Sequence, residues 1–204
     1  MTGIIDYGMG NLRSVVNALE YIGEKYIVTD DTAALDGCSR LLLPGVGAFP
    51  DAARRLAESG LSDYILSAAK ENRPLLGICL GMQLLFEQSC EFEKTAGLGI
   101  IGGEVIKIEP GEKEGRLKIP HMGWNSLSHT QPSPLTEGVA EGSCVYFVHS
   151  YKAVVSDRSS LCSVTRYGGE ITAAVSRGMV FGTQFHPEKS GETGLKILRN
   201  FIGL

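Results

Sequence analysis

The segment Gly77-Ile78-Cys79-Leu80-Gly81 sets a thiol between two glycines, where a short apolar run gives way to a helical one. This is the G-x-nucleophile-x-G form of a nucleophile elbow, with cysteine in place of serine. A sharp strand-to-helix turn strains the central residue and leaves no room for side chains beside it, hence the glycines. The turn pushes the thiol off the carboxyl edge of a sheet, where open α/β sheets place their ligands. It also aims the first amides of a helix at the sulfur, which favours the thiolate. Most cysteines are small buried hydrophobes, and Cys38, Cys90, Cys144 and Cys162 are read that way. The elbow sets Cys79 apart as a candidate nucleophile.

A thiol nucleophile needs a base, and the base gains from an orienting acid. In GTQFHPEKSG, His186 follows an apolar strand, Pro187 stiffens the link and Glu188 stands two residues on. The carboxylate could hold one imidazole tautomer while the other ring nitrogen faces the sulfur. Taken alone, His-Pro-Glu is a helix-start turn with an acid near the N-terminus; the cysteine elbow tips the reading toward a triad. The third piece, LLLPGVGAF at 41–49, can turn backbone N–H groups toward the elbow and, with Leu80 N–H, form an oxyanion hole. On these residues alone a plain tight turn fits equally well. No PCxxC or HExxH accompanies the histidines, so no metal is expected. Gly8-Met9-Gly10 lacks the third glycine of a dinucleotide loop. His121 and His149 are read as structural histidines, and His129 as loop surface.

These groups need a scaffold. TGIID, KYIVT, RLLLPG and PLLGI read as buried strands, and NLRSVVNALEYIG, AFPDAARRLAESG, LSDYILSAAKENR and LGMQLLFEQS as the helices between them. Gly23 sits at the first helix's C-cap position. Alternation of this kind gives a mostly parallel, twisted open sheet with helices on both faces. The second half offers short strand-like segments (GGEVIKIE, GRLKI, SCVYFVHSY, KAVVS, LCSVTRY, TAAVSR, MVFGTQF) and a closing helix, GETGLKILRNFIG. The expectation is one α/β domain over 1–204 with additional antiparallel strands. The 43% hydrophobic and 21% charged composition is ordinary for a soluble domain, and a net charge of −4 gives no reason to expect nucleic acid or an anionic membrane. No signal peptide or spanning segment is visible, and five cysteines without CxxC spacing fit a reducing cytoplasm.

PGVGAF, GICLGMQLLFE and GTQFHPEKSG, in that order over nearly the whole chain, resemble the class I (triad) glutamine amidotransferase family. DYGMGNLRSV and IPHMGWNSL narrow the resemblance to glutaminase subunits of histidine biosynthesis, and FVHSYK and GLKILRNF agree with it. A lysine before IPHMGW and Thr183 before Gln184 depart slightly from the pattern without touching the triad. The resemblance implies that Cys79 attacks the glutamine side-chain amide to form a thioester. His186, oriented by Glu188, protonates the ammonia and then activates water. Leu80 and the turn at Val46 and Gly47 would stabilise the oxyanion; Gly45, Gln83, Ser150 and Tyr151 would hold glutamine. No cofactor is implied. The implied partner is a (β/α)8-barrel cyclase subunit forming a heterodimer, which fits the gain from delivering unprotonated ammonia along a sealed path. Met9, Asn11, Arg13, Met122 and Trp124 would face it. Rival readings are a stand-alone cysteine hydrolase of γ-glutamyl amides, a glutaminase serving another synthase, and a binding module without turnover.

Overall fold

Leu41, Leu42 and Leu43 have no exposed surface, so the strand they build is covered on both faces. The structure, a computed structural model, describes residues 1–109 and 117–204. The first half runs β1 (Thr2–Ile5), α1 (Leu12–Tyr21), β2 (Tyr26–Thr29), α2 (Thr32–Asp36), β3 (Arg40–Gly45), α3 (Phe49–Glu58), α4 (Leu61–Lys70), β4 (Leu75–Cys79) and α5 (Leu80–Leu84). There follow β5 (Phe86–Ser89), β6 (Thr95–Ala96), β7 (Ile101–Lys107), β8 (His121–Ser126), β9 (Ser128–His129), β10 (Cys144–His149), β11 (Tyr151–Val155), β12 (Leu161–Arg166), β13 (Glu170–Arg177), β14 (Val180–Thr183) and α6 (Gly191–Ile202).

The main sheet has the order β2-β1-β3-β4-β14-β13-β12-β9. Its first five strands are mutually parallel, and the rest are antiparallel. One face packs Ile5, Leu41, Leu43 and Leu75 against Phe49, Ala52 and Leu56 of α3 and Leu61 and Ile65 of α4. The other packs Ile4, Leu42, Leu76 and Ile78 against Val15 and Leu19 of α1 and Ile197, Leu198 and Phe201 of α6. Each such fully buried side chain contributes about 1.5–3 kcal/mol. Gly23, at φ +76, closes α1: Glu24 N–H donates to Leu19 O (3.0 Å) and Gly23 N–H to Glu20 O (3.1 Å), a left-handed cap that favours glycine. Two smaller sheets, β10-β8 and β11-β7-β5-β6, complete the sheet structure of the described residues.

Several sequence expectations need correction. LGMQLLFEQS is not one helix: α5 stops at Leu84 and Phe86–Ser89 is strand β5. The carbonyls of Leu84, Leu85, Phe86 and Glu87 accept from Leu98, Ile101, Gly99 and Gly97, so tertiary pairing overrides helix propensity. Of GRLKI, residues 115 and 116 lie outside the described residues, and Leu117–Ile119 form no strand. His121–Ser126, which carries Met122 and Trp124, forms strand β8, held antiparallel to β10. Cys90 and Cys144 are exposed rather than buried, each standing at a strand boundary. His129 belongs to edge strand β9; its ring nitrogens lie 2.8 Å from Ser163 Oγ and 3.1 Å from Val139 O.

Candidate active site

Cys79 ends β4 and Leu80 begins α5. Its backbone, at φ 55 and ψ −109, is in the left-handed half of the map, which costs a non-glycine residue about 1–3 kcal/mol. A Cβ at Gly77 would lie 2.6 Å from Gly81 O, and one at Gly81 2.8 Å from the Leu43 carbonyl carbon and nearer still to its oxygen. The elbow therefore closes against itself and against β3 only with glycine at both places. The thiol donates weakly to Val148 O (3.9 Å) and accepts from Gln184 Nε2 (3.8 Å).

β14 lies beside β4, with Thr183 opposite Ile78, and the chain leaves it toward His186. The histidine is anchored through its backbone: its N–H donates to Tyr146 O (3.0 Å) and its carbonyl accepts from Ser190 Oγ (2.6 Å). One 3-10 turn, Pro187–Lys189, then carries Glu188 Oε1 to 2.7 Å from His186 Nδ1. That pairing puts a proton on Nδ1; Nε2 is buried without a conventional hydrogen-bond partner among the described residues. Burial disfavours the imidazolium, yet interaction with Cys79 and Glu188 outweighs it and raises His186. The imidazolium is the form this environment favours for His186.

A cavity of about 430 Å³ opens on these groups. Among the residues singled out from sequence, Val46, Gly47, Cys79, Leu80, Gln83, Ser150, Tyr151 and His186 line it. Gly45 does not; it is opposite Cys79 in the β3–β4 register, behind the turn. Glu188 stands behind His186. Gln83 Nε2 is committed to Gln184 Oε1 (2.9 Å) and Tyr151 O (3.1 Å), leaving its carbonyl oxygen uncommitted. A larger depression of about 720 Å³, around His129–Glu137, contains no nucleophile–base pair.

Three lining residues, Glu91, Pro120 and Val148, were not singled out, and His149, read from sequence as a structural histidine, lines the cavity too. Glu91 follows β5 and accepts from Phe49 N–H (2.7 Å) at the start of α3. Burial pushes its carboxyl up, opposed by that N–H; Asp51 adds to the rise. The polar run around it carries no motif, so only the fold reveals it. His149 donates from Nδ1 to Tyr151 O (2.8 Å), and its Nε2 lies 3.0 Å from His121 Nδ1. Burial holds His149 neutral, down at about 4; the Tyr151 carbonyl opposes this and the nearby His121 and His186 add to it. The stack of His121 between Phe147 and Tyr167 fixes the pair.

Away from the cavity, Met122 and Trp124 project from β8 with 61% and 56% of their surface exposed, Trp124 edge-on to Tyr146. Arg13 is exposed, and Met9 and Asn11 are half-buried.

The family model for class I glutamine amidotransferases matches residues 3–203. The chain is 52% identical, over its full length and 97% of the relative, to the imidazole glycerol phosphate synthase subunit HisH of Geobacillus sp. (strain WCH70). It is 51% identical to the protein of that name from Caldanaerobacter subterraneus subsp. tengcongensis, covering 98% of this chain and 97% of that one. A crystal structure of a glutamine amidotransferase shares the fold at TM-score 0.76 and 20% identity, covering 99% and 97% of the two chains. So does PurLQS from Thermotoga maritima, at 0.73 and 24% identity with the same coverage. Full-length identity of about half, on an elbow that carries its thiol beside a His–Glu pair, leads to one conclusion: the chain belongs to the class I glutamine amidotransferase family.

Proposed function

We propose that residues 1–204 act as one glutaminase domain, the ammonia-producing subunit of an imidazole glycerol phosphate synthase. The observation that carries this reading is the His186–Glu188 contact of 2.7 Å beside a strained cysteine, in a chain about half identical to HisH proteins from end to end. Cys79 attacks the side-chain amide carbon of glutamine. The tetrahedral oxyanion forms between Leu80 N–H and the Val46–Gly47 turn, with Gly45 setting the turn's approach. His186 protonates the leaving ammonia, and the γ-glutamyl thioester remains on Cys79. His186 then takes a proton from water, whose attack releases glutamate and restores the thiol. Glu188 holds the imidazole tautomer through both steps.

Glutamine recognition falls to Gln83, whose uncommitted oxygen can accept, and to the Ser150–Tyr151 backbone, which Gln83 and His149 hold by the Tyr151 carbonyl. Glu91 supplies the negative charge for the α-ammonium group. Ammonia passes to a (β/α)8-barrel cyclase subunit in a heterodimer and ends in imidazole glycerol phosphate, with an aminoimidazole carboxamide ribotide released. Met122 and Trp124 with Met9, Asn11 and Arg13 form the docking face; large exposed apolar side chains on a strand are suited to anchor such an interface. The cytoplasm, where the five free cysteines stay reduced, is the matching compartment.

Glutamate release from glutamine, measured for wild type and Cys79→Ala with and without the cyclase subunit and its ligand, tests the reading. Turnover that requires both the cysteine and the liganded partner is expected. Cysteine-dependent turnover indifferent to the partner would instead establish a free-standing hydrolase, and no turnover in any arm a binding module.

A further inference from the structure

The Tyr7 hydroxyl is buried and finds no hydrogen-bond partner among the described residues. The residue is 5% exposed and lies in the first loop after β1, at the carboxyl edge of the sheet. A buried hydroxyl without a partner is costly, and a fold retains one for a reason. Its position supplies the reason. A Cβ built on Gly45 would meet Tyr7 Oη at 2.5 Å, Gly81 N at 2.9 Å and Leu80 Cβ at 3.0 Å. The hydroxyl thus abuts the junction of the Gly45–Gly47 turn and the first turn of α5, which are the two halves of the proposed oxyanion hole. Burial raises its pKa, as does the charge of Cys79, so it is a donor at every working pH. Two residues on, Met9 braces the other end of the same turn: a Cβ on Gly47, which stands at φ +107, would meet Met9 Cε at 2.8 Å.

A peptide plane points its N–H and C=O in opposite directions. A turn N–H aimed into the cavity at the oxyanion therefore sends its own carbonyl back toward the interior, where it must find a donor. Tyr7 Oη is the uncommitted buried donor on that side. We infer that Tyr7 is a positioning residue of the glutaminase reaction, its hydroxyl donating to a carbonyl of the Gly45–Val46–Gly47 turn when a turn N–H serves the oxyanion. The inference rests on the glutaminase reading and deepens it. It requires no contact between Tyr7 and glutamine.

Tyr7→Phe in the complete enzyme, with the cyclase subunit and its ligand present, tests this. The readouts are kcat and KM for glutamate release, the rate of Cys79 alkylation by iodoacetamide, and the unfolding temperature of the free subunit. Loss of one neutral hydrogen bond acting only in the transition state predicts a fall in kcat of about tenfold. KM and alkylation should stay within about twofold, and the unfolding temperature should be unchanged or higher, because an unpartnered buried hydroxyl has been removed. An unchanged kcat overturns the inference, and so does a fall in kcat that comes with a lower unfolding temperature, which marks simple packing. Wild-type enzyme without turnover overturns the glutaminase reading itself, and this inference with it.

Discussion

Gly81→Ala isolates the elbow with a single methyl group. The new Cβ would lie 2.8 Å from the Leu43 carbonyl carbon and nearer to its oxygen, against the 3.4 Å at which ordinary contact begins. Leu43 is interior to β3 and paired with Gly77 of β4, so its carbonyl cannot swing aside. The start of α5 must move instead, by roughly 1 Å, and overpacking of this kind costs about 3 kcal/mol at the upper end of its usual range. For a domain of this size that is a fall in unfolding temperature of roughly 6–12 °C. A displacement of roughly 1 Å at the nucleophile also costs about a hundredfold in turnover. The control is Gly37→Ala, where φ is −71 and the nearest atom lies at 3.4 Å; its stability should be unchanged or slightly raised. Thermal unfolding of both variants, with glutamate release by the complex, decides the matter. Gly81→Ala at wild-type stability and turnover would refute the claim that the elbow is closed against β3. Lost stability with turnover intact would separate the elbow's packing from the nucleophile's placement.

Glu188→Gln tests the His186 ion pair through pH. Burial alone would lower His186, but its interactions with Cys79 and Glu188 raise it to about 10, so the stabilisation they provide is full below the ordinary histidine range near 6.5 and fades as pH climbs toward 10. Wild type should exceed the variant in unfolding temperature by roughly 5 °C at pH 6, with the gap closing by pH 10; a gap that widens with pH would reverse the assignment. Trp124→Ala removes a side chain that is more than half exposed, so the unfolding temperature should hold within about 2 °C. Affinity for the cyclase subunit, read by titration calorimetry, should drop about thirtyfold, and normal affinity would move the interface off β8.

The candidate nucleophile and base could be singled out in the sequence because their motifs are local. Gly77 and Gly81 flank Cys79 within five residues, and His186 and Glu188 share a single turn. The parallel half of the sheet was legible for a related reason: strands buried on both faces, such as Arg40–Gly45, read as unbroken apolar runs. What failed was decided by partners distant in sequence. Phe86–Ser89 continues a helical pattern, and nothing nearby announces that Gly97, Leu98, Gly99 and Ile101 will claim the carbonyls of Leu84 to Glu87. His121–Ser126 alternates buried and exposed residues as a strand should, but Gly123 within it and Pro120 before it hide that pattern until β10 pairs with it. The short helix Thr32–Asp36 was missed although its N-cap was visible: Asp31 accepts from Ala33 N–H at 3.0 Å.

The same distinction explains the layout of the candidate site. β3, β4 and β14 are adjacent in the sheet, and each delivers one component at its carboxyl end: the Gly45–Gly47 turn, Cys79 and His186. The first two are also close in sequence, joined by a helical crossover, so motif spacing suggests that they meet. β14 arrives about a hundred residues after β4, and its insertion beside that strand is fixed by Leu75–Ile78 pairing with Val180–Thr183. The proposed glutamine contacts come from yet another layer, the β10–β11 junction, where Tyr151 O is held by His149 from one sheet and Gln83 from the elbow helix. A change at that junction should therefore reach KM first, whereas a change between β3 and β4 should reach kcat, because those strands carry the proposed oxyanion turn and nucleophile.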